Sequence, residues 1–326
     1  MFRSISEYLM NVFIDSNGVV KRNGVNTLKM IPRTRLIYSF SPRNEPVETA
    51  KPGELVLFET IDALGGQIKS EDMTLNELDW SKVDGATGPL YVEGAEVGDT
   101  LVVDILDIRV EEIGVMVVIP KYGALSHVDF KPRVKLVRIK DGLVHFDGIK
   151  LCAHPMIGTI GVAPGEGEVP AGSLGKHGGN MDTKEVRAGT RLYFPVFAEG
   201  ALLAMGDLHA LQANGELCVS AVEVSGEVLV KVDIIKGKQP PWPILETDDH
   251  LAVLACGDTL DEACTYASET AVKGIAGARG LSFEEAYMLA SLTVDLEINQ
   301  VVDPKKGVRA VIPKELIGNV EHLFIG

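Results

Sequence analysis

Apolar and polar positions alternate along Leu55–Thr60 (LVLFET) and along Thr100–Val110 (TLVVDILDIRV), the spacing of strands that bury one face. Shorter runs of the same kind occupy residues 89–92, 115–120, 134–139 and 143–146, and glycine or proline punctuates the breaks. No stretch of helical period separates them, so the first half predicts a small β-domain or barrel and not a βαβ repeat. Strands resume at residues 191–196, 218–224 and 227–234, and a proline-rich bend follows at 239–243. Only then does a helical period set in. Asp258 or Thr259 caps a helix running through Ala271, and Ser282 with Glu285 forms a capping box that opens a second one over 283–292. Residues 293–301 return to alternation. The expected class is α+β and β-rich, with β-sandwich or barrel-like strands and a few C-terminal helices.

Two stretches fall outside this pattern. Residues 151–189 are glycine-rich, lack any period, and carry His, Asn and Asp, which reads as a long functional loop. Residues 1–30 read as an N-terminal arm or extension, with a short helix at 4–10 and a hairpin turning at Ser16-Asn17-Gly18. The remainder, 31–326, is expected to form one catalytic unit, with sub-lobes 31–150 and 151–326 as the alternative.

Charge narrows the function. The 326 residues carry a formal net charge of −15 with no Lys/Arg cluster, which excludes a phosphate-tracking nucleic-acid binder. No apolar segment approaches a membrane span, and Glu7 and Asp15 interrupt the start where a signal peptide needs an unbroken apolar region, so the chain is expected in the cytoplasm and off the membrane. Cys152, Cys218, Cys256 and Cys264 form no C-x-x-C pair, in keeping with a reducing compartment, and Cys152 reads as a small core residue. The Walker loop, G-x-G-x-x-G, G-x-S-x-G and H-E-x-x-H are all absent.

Three segments concentrate metal-capable side chains. In FETIDALGGQI, Glu59 and Asp62 leave a strand end into a double-glycine turn. In KHGGNMD, His177, Asn180 and Asp182 surround Gly178-Gly179, whose backbone is free to aim consecutive N–H groups at a ligand. In MGDLHALQANGE, Asp207 and His209 share one face if extended, and Gln212 and Glu216 follow through an Asn-Gly turn. An Asp-x-His pair beside a second His/Asp pair supplies the nitrogen and oxygen donors that zinc or a similar divalent ion accepts. Solvated or capping side chains are the structural alternative for each, and for His154 in AHPMIG it is a half-buried histidine held by a backbone carbonyl.

In order, SFSPRNEPVETAKPGELVLFETIDALGGQI, ATGPLYVEGAEVGDTLVVDILDI, HPMIGTIGVAP, HGGNMDTKEV, GDLHALQANGE and LASLTVDLEINQVVDP resemble the acetamidase/formamidase family from about Tyr38 to Pro313. The resemblance implies hydrolysis of short aliphatic amides, formamide or acetamide, to carboxylate and ammonia, and an oligomer, expected as a homodimer or a multiple of it. On that expectation His177, Asp182, Asp207 and His209 hold a divalent metal, zinc for preference, and Glu216 or Glu59 moves the protons. Asp62, His154, Gly178, Gly179 and Asn180 contact the substrate. A carboxylate pair acting without metal stays open. So do two other classes: a metal-dependent hydrolase of a cyclic amide or carbamoyl compound, and a non-catalytic small-molecule or metal binder. A one- or two-carbon substrate further implies a small acyl pocket, with rates falling beyond propionamide.

Overall fold

The computed structural model describes residues 28–325, together with the backbone of a two-residue strand pair, Phe13–Ile14 against Val20–Lys21. That pair is antiparallel, as the hairpin reading expects, while the helix expected at 4–10 lies outside the described residues.

Two large open sheets carry the molecule, and neither closes into a barrel. In the nine-stranded sheet Thr100–Val110 pairs with Gly226–Ile235 on one side and with Arg191–Pro195 on the other. Leu55–Thr60 adds to the far edge of Gly226–Ile235, with Val56, Phe58 and Thr60 buried in alternation, and Lys29–Ile31 pairs with it in parallel. The twelve-stranded sheet centres on Leu203–His209, flanked by Met156–Gly161, Glu223–Val224 and Ala86–Val92. Strands from both sides of residue 150 interleave in both sheets. The sheets share one core, in which Phe58, Val103 and Ile105 of the first join Leu90, Ile157 and Met205 of the second.

The helices cover the nine-stranded sheet. Leu260–Arg279 starts at Thr259, whose hydroxyl accepts the Glu262 N–H, and ends at Gly280 in the left-handed region (φ 64°). Ala263, Ala267, Ala271 and Ile275, four residues apart, form its buried stripe. The helix runs eight residues past Ala271, through glycines that weaken its sequence signal. At Gly274 the reason is contact: a Cβ would sit 2.4 Å from Leu323 Cδ2. The capping box of Ser282 and Glu285 forms and opens Phe283–Thr293.

Three sequence expectations change. The supposed loop 151–189 contributes the strand Met156–Gly161, whose six residues are all buried, because a central strand covered on both faces has no polar side to alternate. The strand expected over 218–224 shrinks to Glu223–Val224, since the Ser220 hydroxyl binds the Val117 N–H (2.8 Å) and carbonyl (3.1 Å) and holds the preceding residues in a loop. Cys152 is exposed, at the end of the outermost strand Ile149–Cys152, all four residues of which face solvent.

Candidate active site

The site grows from the Leu203–His209 strand. Its seven residues are buried, and Asp207 and His209 meet on one side, Asp207 being turned there by a left-handed kink in the strand (φ 54°). Glu223 lies directly across the ladder from His209, so two strands bring three ionisable side chains together. His209 Nε2 stands 3.1 Å from Asp207 Oδ1, 3.0 Å from Glu223 Oε2 and 3.8 Å from Asp182 Oδ1. The other ring nitrogen, Nδ1, is 2.7 Å from Gln212 Oε1, and the Gln212 amide nitrogen donates to the Asp182 carbonyl at 2.7 Å. With its NH₂ so committed, Gln212 offers His209 an acceptor, so Nδ1 carries a proton and Nε2 faces the carboxylates.

Glu216 completes the group, its carboxyl lying with those of Asp182 and His209 Nε2 inside 4.8 Å. Three of the carboxylate oxygens, Asp182 Oδ1, Glu216 Oε2 and Glu223 Oε2, are buried without a hydrogen-bond donor. Burial alone would depress His209, but the Glu223 and Asp207 carboxylates beside it hold its pKa well above that of free imidazole. Burial lifts Asp182 to about 7, with the Asp207 charge adding to it. Glu216 and Glu223 are pushed well up by the same two causes, burial first and neighbouring carboxylates second, although His209 opposes the rise in both.

The backbone is forced to deliver these groups. Asp84, Asp182, Asp207 and Glu216 all have positive φ, at 57°, 43°, 54° and 29°, a region that non-glycine residues enter only when their surroundings impose it. Gly158 makes the space they occupy: a Cβ there would lie 2.5 Å from Asp207 Oδ2 and 2.7 Å from Asp182 Oδ1.

Above the cluster opens a cavity of about 740 Å³, with six carboxyl groups, those of Asp84, Asp182, Asp207, Glu216, Glu223 and Asp303, and one imidazole in its lining and, among the described residues, no Lys or Arg. Thr159 donates to Asn180 Oδ1 (2.7 Å) and Asn180 Nδ2 donates to Asp303 (3.1 Å), which fixes that carboxyl. Behind the Glu216 loop lies a fully buried Arg309. Its guanidinium donates to Asn299 Oδ1 (2.7 Å) and Asn214 Oδ1 (2.9 Å) and pairs with Glu185 (3.1 Å) and Glu297. Asn299 in turn accepts the Gly215 N–H through its carbonyl at 2.9 Å.

A family profile described as the acetamidase/formamidase family matches residues 33–171 and 168–318. The chain belongs to the acetamidase/formamidase family. An acetamidase structure from Bacillus halodurans superposes with a TM-score of 0.87 at 40% identity, covering 89% of this chain and 100% of that one. A formamidase of Methylophilus methylotrophus is 27% identical over 287 residues, 67% of this chain and 70% of that protein. An acetamidase of Mycolicibacterium smegmatis is 29% identical over 256 residues, 58% of this chain and 63% of that protein. The matched span thus falls just under two thirds of the length of some curated relatives, as for the last of these.

Within this family fold, Asp182, Asp207, His209, Glu216 and Asn180 come together at the cavity. Asp62 is buried nearby but outside the lining, its carboxylate capping the double-glycine turn by accepting the Gly66 N–H at 3.1 Å. The other candidates stand apart. Glu59 occupies the opposite face of its strand from Phe58 and Thr60 and pairs across to Glu227. His154 is exposed. His177 is buried edge-on against Phe40, and burial brings its pKa down to about 4. Gly178 and Gly179 belong to a strand paired on both edges, with Ile160–Gly161 and with Leu174–Gly175, so their backbone is spent on the sheet. Sequence reasoning missed Glu223, Asp84 and Asp303 as site residues. Glu223 stands between Val222 and Val224 inside a short apolar run, and Asp303 sits in the VVDP motif.

Proposed function

We propose that this chain hydrolyses short linear amides to the carboxylic acid and ammonia, using a divalent cation held around His209 Nε2. Family membership supports the reaction, and one observation carries the cation: His209 Nε2 faces a group of buried carboxylates in which Asp182 Oδ1, Glu216 Oε2 and Glu223 Oε2 lack a hydrogen-bond partner. Asp182, Asp207, Glu216 and Glu223 outnumber the single imidazole, so keeping them buried and charged would be costly without a further positive charge. The donors, one imidazole nitrogen with carboxylate oxygens and no thiolate, suit zinc or a similar divalent ion.

Asp207, His209 and Glu223 would hold the cation, with Asp182 beside them. When bound, a divalent ion lowers the pKa of adjacent water and polarises the amide carbonyl. Glu216, its Oε2 free of protein donors, takes the proton from the attacking water and returns it to the departing nitrogen. Asn180 acts through Asp303, to which its amide is bound. The strapped Gln212 keeps the imidazole from rotating.

A homodimer and a cytoplasmic site remain part of this proposal. The exposed Tyr287, Met288 and Leu292 on one helix beside Leu296 on the edge strand support the first. Four free cysteines support the second. No described helix is long and apolar enough to cross a membrane.

The test is ammonia release from formamide and acetamide, before and after chelation with metal content measured. Turnover should vanish in metal-free protein and return with zinc. Full activity in verified metal-free protein removes the cation from the proposal, and tight amide binding without ammonia removes the enzyme.

A further inference from the structure

The carboxyl groups of the cavity do not share one task. Asp182, Asp207 and Glu223 stand around His209 Nε2 and Glu216 moves the proton, which leaves Asp84 and Asp303. Of these two, Asp303 is tied down in both backbone and side chain. Its N–H and that of Val302 donate to Oε1 of the fully buried Gln300, at 3.0 and 2.8 Å, and the Gln300 amide nitrogen donates to the Lys305 carbonyl at 2.7 Å. Lys306 Nζ bridges the carbonyls of Val301 (2.9 Å) and Asp303 (2.6 Å). A short loop held at so many points fixes where its side chain meets the cavity.

The carboxyl itself is aimed by a relay. The buried Thr159 hydroxyl donates to Asn180 Oδ1, so the Asn180 NH₂ is turned toward Asp303 and donates to its Oδ2. One oxygen is thereby committed to the protein. Among the described residues no donor meets the other, Oδ1, although Asp303 lines the cavity. A primary amide calls for such a group, since it carries one acceptor, the carbonyl oxygen, and two N–H donors in the same plane. With the carbonyl toward the cation at His209 and one N–H facing Glu216, the second N–H is left unpaired unless the cavity supplies an acceptor.

Resting on the amidase reading above, we infer that Asp303 Oδ1 accepts an N–H of the substrate carboxamide and so selects amides over esters of the same size. Asn180 and Gln300 are the positioning residues that aim it. An ester brings oxygen lone pairs to the place where the amide brings a hydrogen, so oxygen meets oxygen and the ester is refused by repulsion as well as by a missing bond. The preference is thus set by the leaving group and is the same for formamide and acetamide.

The experiment compares formate release from formamide and from methyl formate, above the uncatalysed background, by the full chain loaded with zinc. In Asp303→Asn the Asn180 NH₂ still donates, so it captures the new carbonyl oxygen and turns the new NH₂ into the cavity, where donor faces donor. The kcat/KM for formamide should fall by on the order of 10–100-fold, the value for methyl formate should hold or rise, and zinc content should match the wild type. Where the ester binds without being cleaved, its inhibition constant against formamide replaces kcat/KM and should not weaken. Asn180→Ala, which frees the carboxyl to rotate, should move the amide-to-ester ratio in the same direction by about tenfold, and it keeps the test decisive if Asp303→Asn misfolds. Equal losses on amide and ester, a ratio unmoved in both variants, or zinc lost from Asp303→Asn overturns the assignment while leaving the amidase reading intact. A wild-type protein that releases nothing from formamide overturns the amidase reading itself.

Discussion

Gln212 touches no substrate, yet it decides which nitrogen of His209 is available. Its amide is oriented by the Asp182 carbonyl, so Gln212→Leu would leave Nδ1 without an acceptor and the ring free to turn. Partners of this kind typically matter by 10–100-fold, and metal affinity and kcat should both fall by about that much in the variant, with a loss of about 1–3 kcal/mol of stability for the buried groups left without partners. Unchanged metal content and rate would show that the ring is held by something else. Gly158 sets the complementary constraint. In Gly158→Ala the new methyl would meet Asp207 and Asp182 at under 3 Å, so the carboxylates must part. The cost should appear as a loss of turnover of about 10²-fold or more, following from a misplacement of the order of an ångström. A fully active, equally stable Gly158→Ala protein would place those carboxylates outside the chemistry.

At the scale of elements, the Glu216 loop is held from behind by the Lys306–Pro313 strand. Arg309 reaches from that strand to Asn214 and to Asn299, which together bracket Gly215. Asn214→Ala cuts the loop from Arg309 while leaving the guanidinium its Glu185, Glu297 and Asn299 partners. It should lower kcat about tenfold at nearly constant KM and cost about 1 kcal/mol or less of stability. A change in stability alone, with kcat intact, would make the network structural only. The same elements show what a sequence discloses. Leu55–Thr60 was legible because one face is less buried than the other, Thr100–Val110 because Asp104, Asp107 and Arg109 break up its apolar residues although its first six positions are all buried, and the capping box because its chemistry is local. Met156–Gly161 was not, since burial on both faces erases the period. Asp182, Asp207, His209 and Glu216 stood in short polar motifs. Glu223, Asp84 and Asp303 reach the cavity from distant segments, and nothing in their neighbours announces it. Glu59, His154 and His177 had the right chemistry in the right motifs, but the strand face, exposure and the Phe40 contact put them elsewhere.

For the molecule as a whole, the uncompensated acids set the pH response. Burial lifts Asp84 and Asp182 from the usual 3.8 to about 7, so between those values the folded chain binds more protons than the unfolded one. The stability they contribute is complete below about pH 4 and is lost as pH rises through about 7. His177 works in the opposite sense: with its pKa brought down to about 4 from 6.5, the folded state loses ground as pH falls through that window. Chelated protein should therefore show a Tm that declines from pH 6 to pH 8, and Asp84→Asn should flatten that decline. Zinc should flatten it too, because a cation keeps the carboxylates charged. A Tm rising with pH in the metal-free chain would contradict the assignment of these acids as buried and unpaired.

The interleaved strands bear on how such a site comes into being. The Thr60 hydroxyl donates to the Gly226 carbonyl across 166 residues, and cavity residues are drawn from Tyr38 to Pro304. Loop-closure entropy on that scale must be met before either sheet is rewarded, which predicts slow folding dominated by non-local pairing. A ribosome-bound chain ending near residue 150 already contains Leu55–Thr60 and Thr100–Val110 but lacks the Gly226–Ile235 strand that joins them. Until that strand emerges, both present open, largely apolar edges to the surroundings, so the nascent chain is where chaperones have the most to protect.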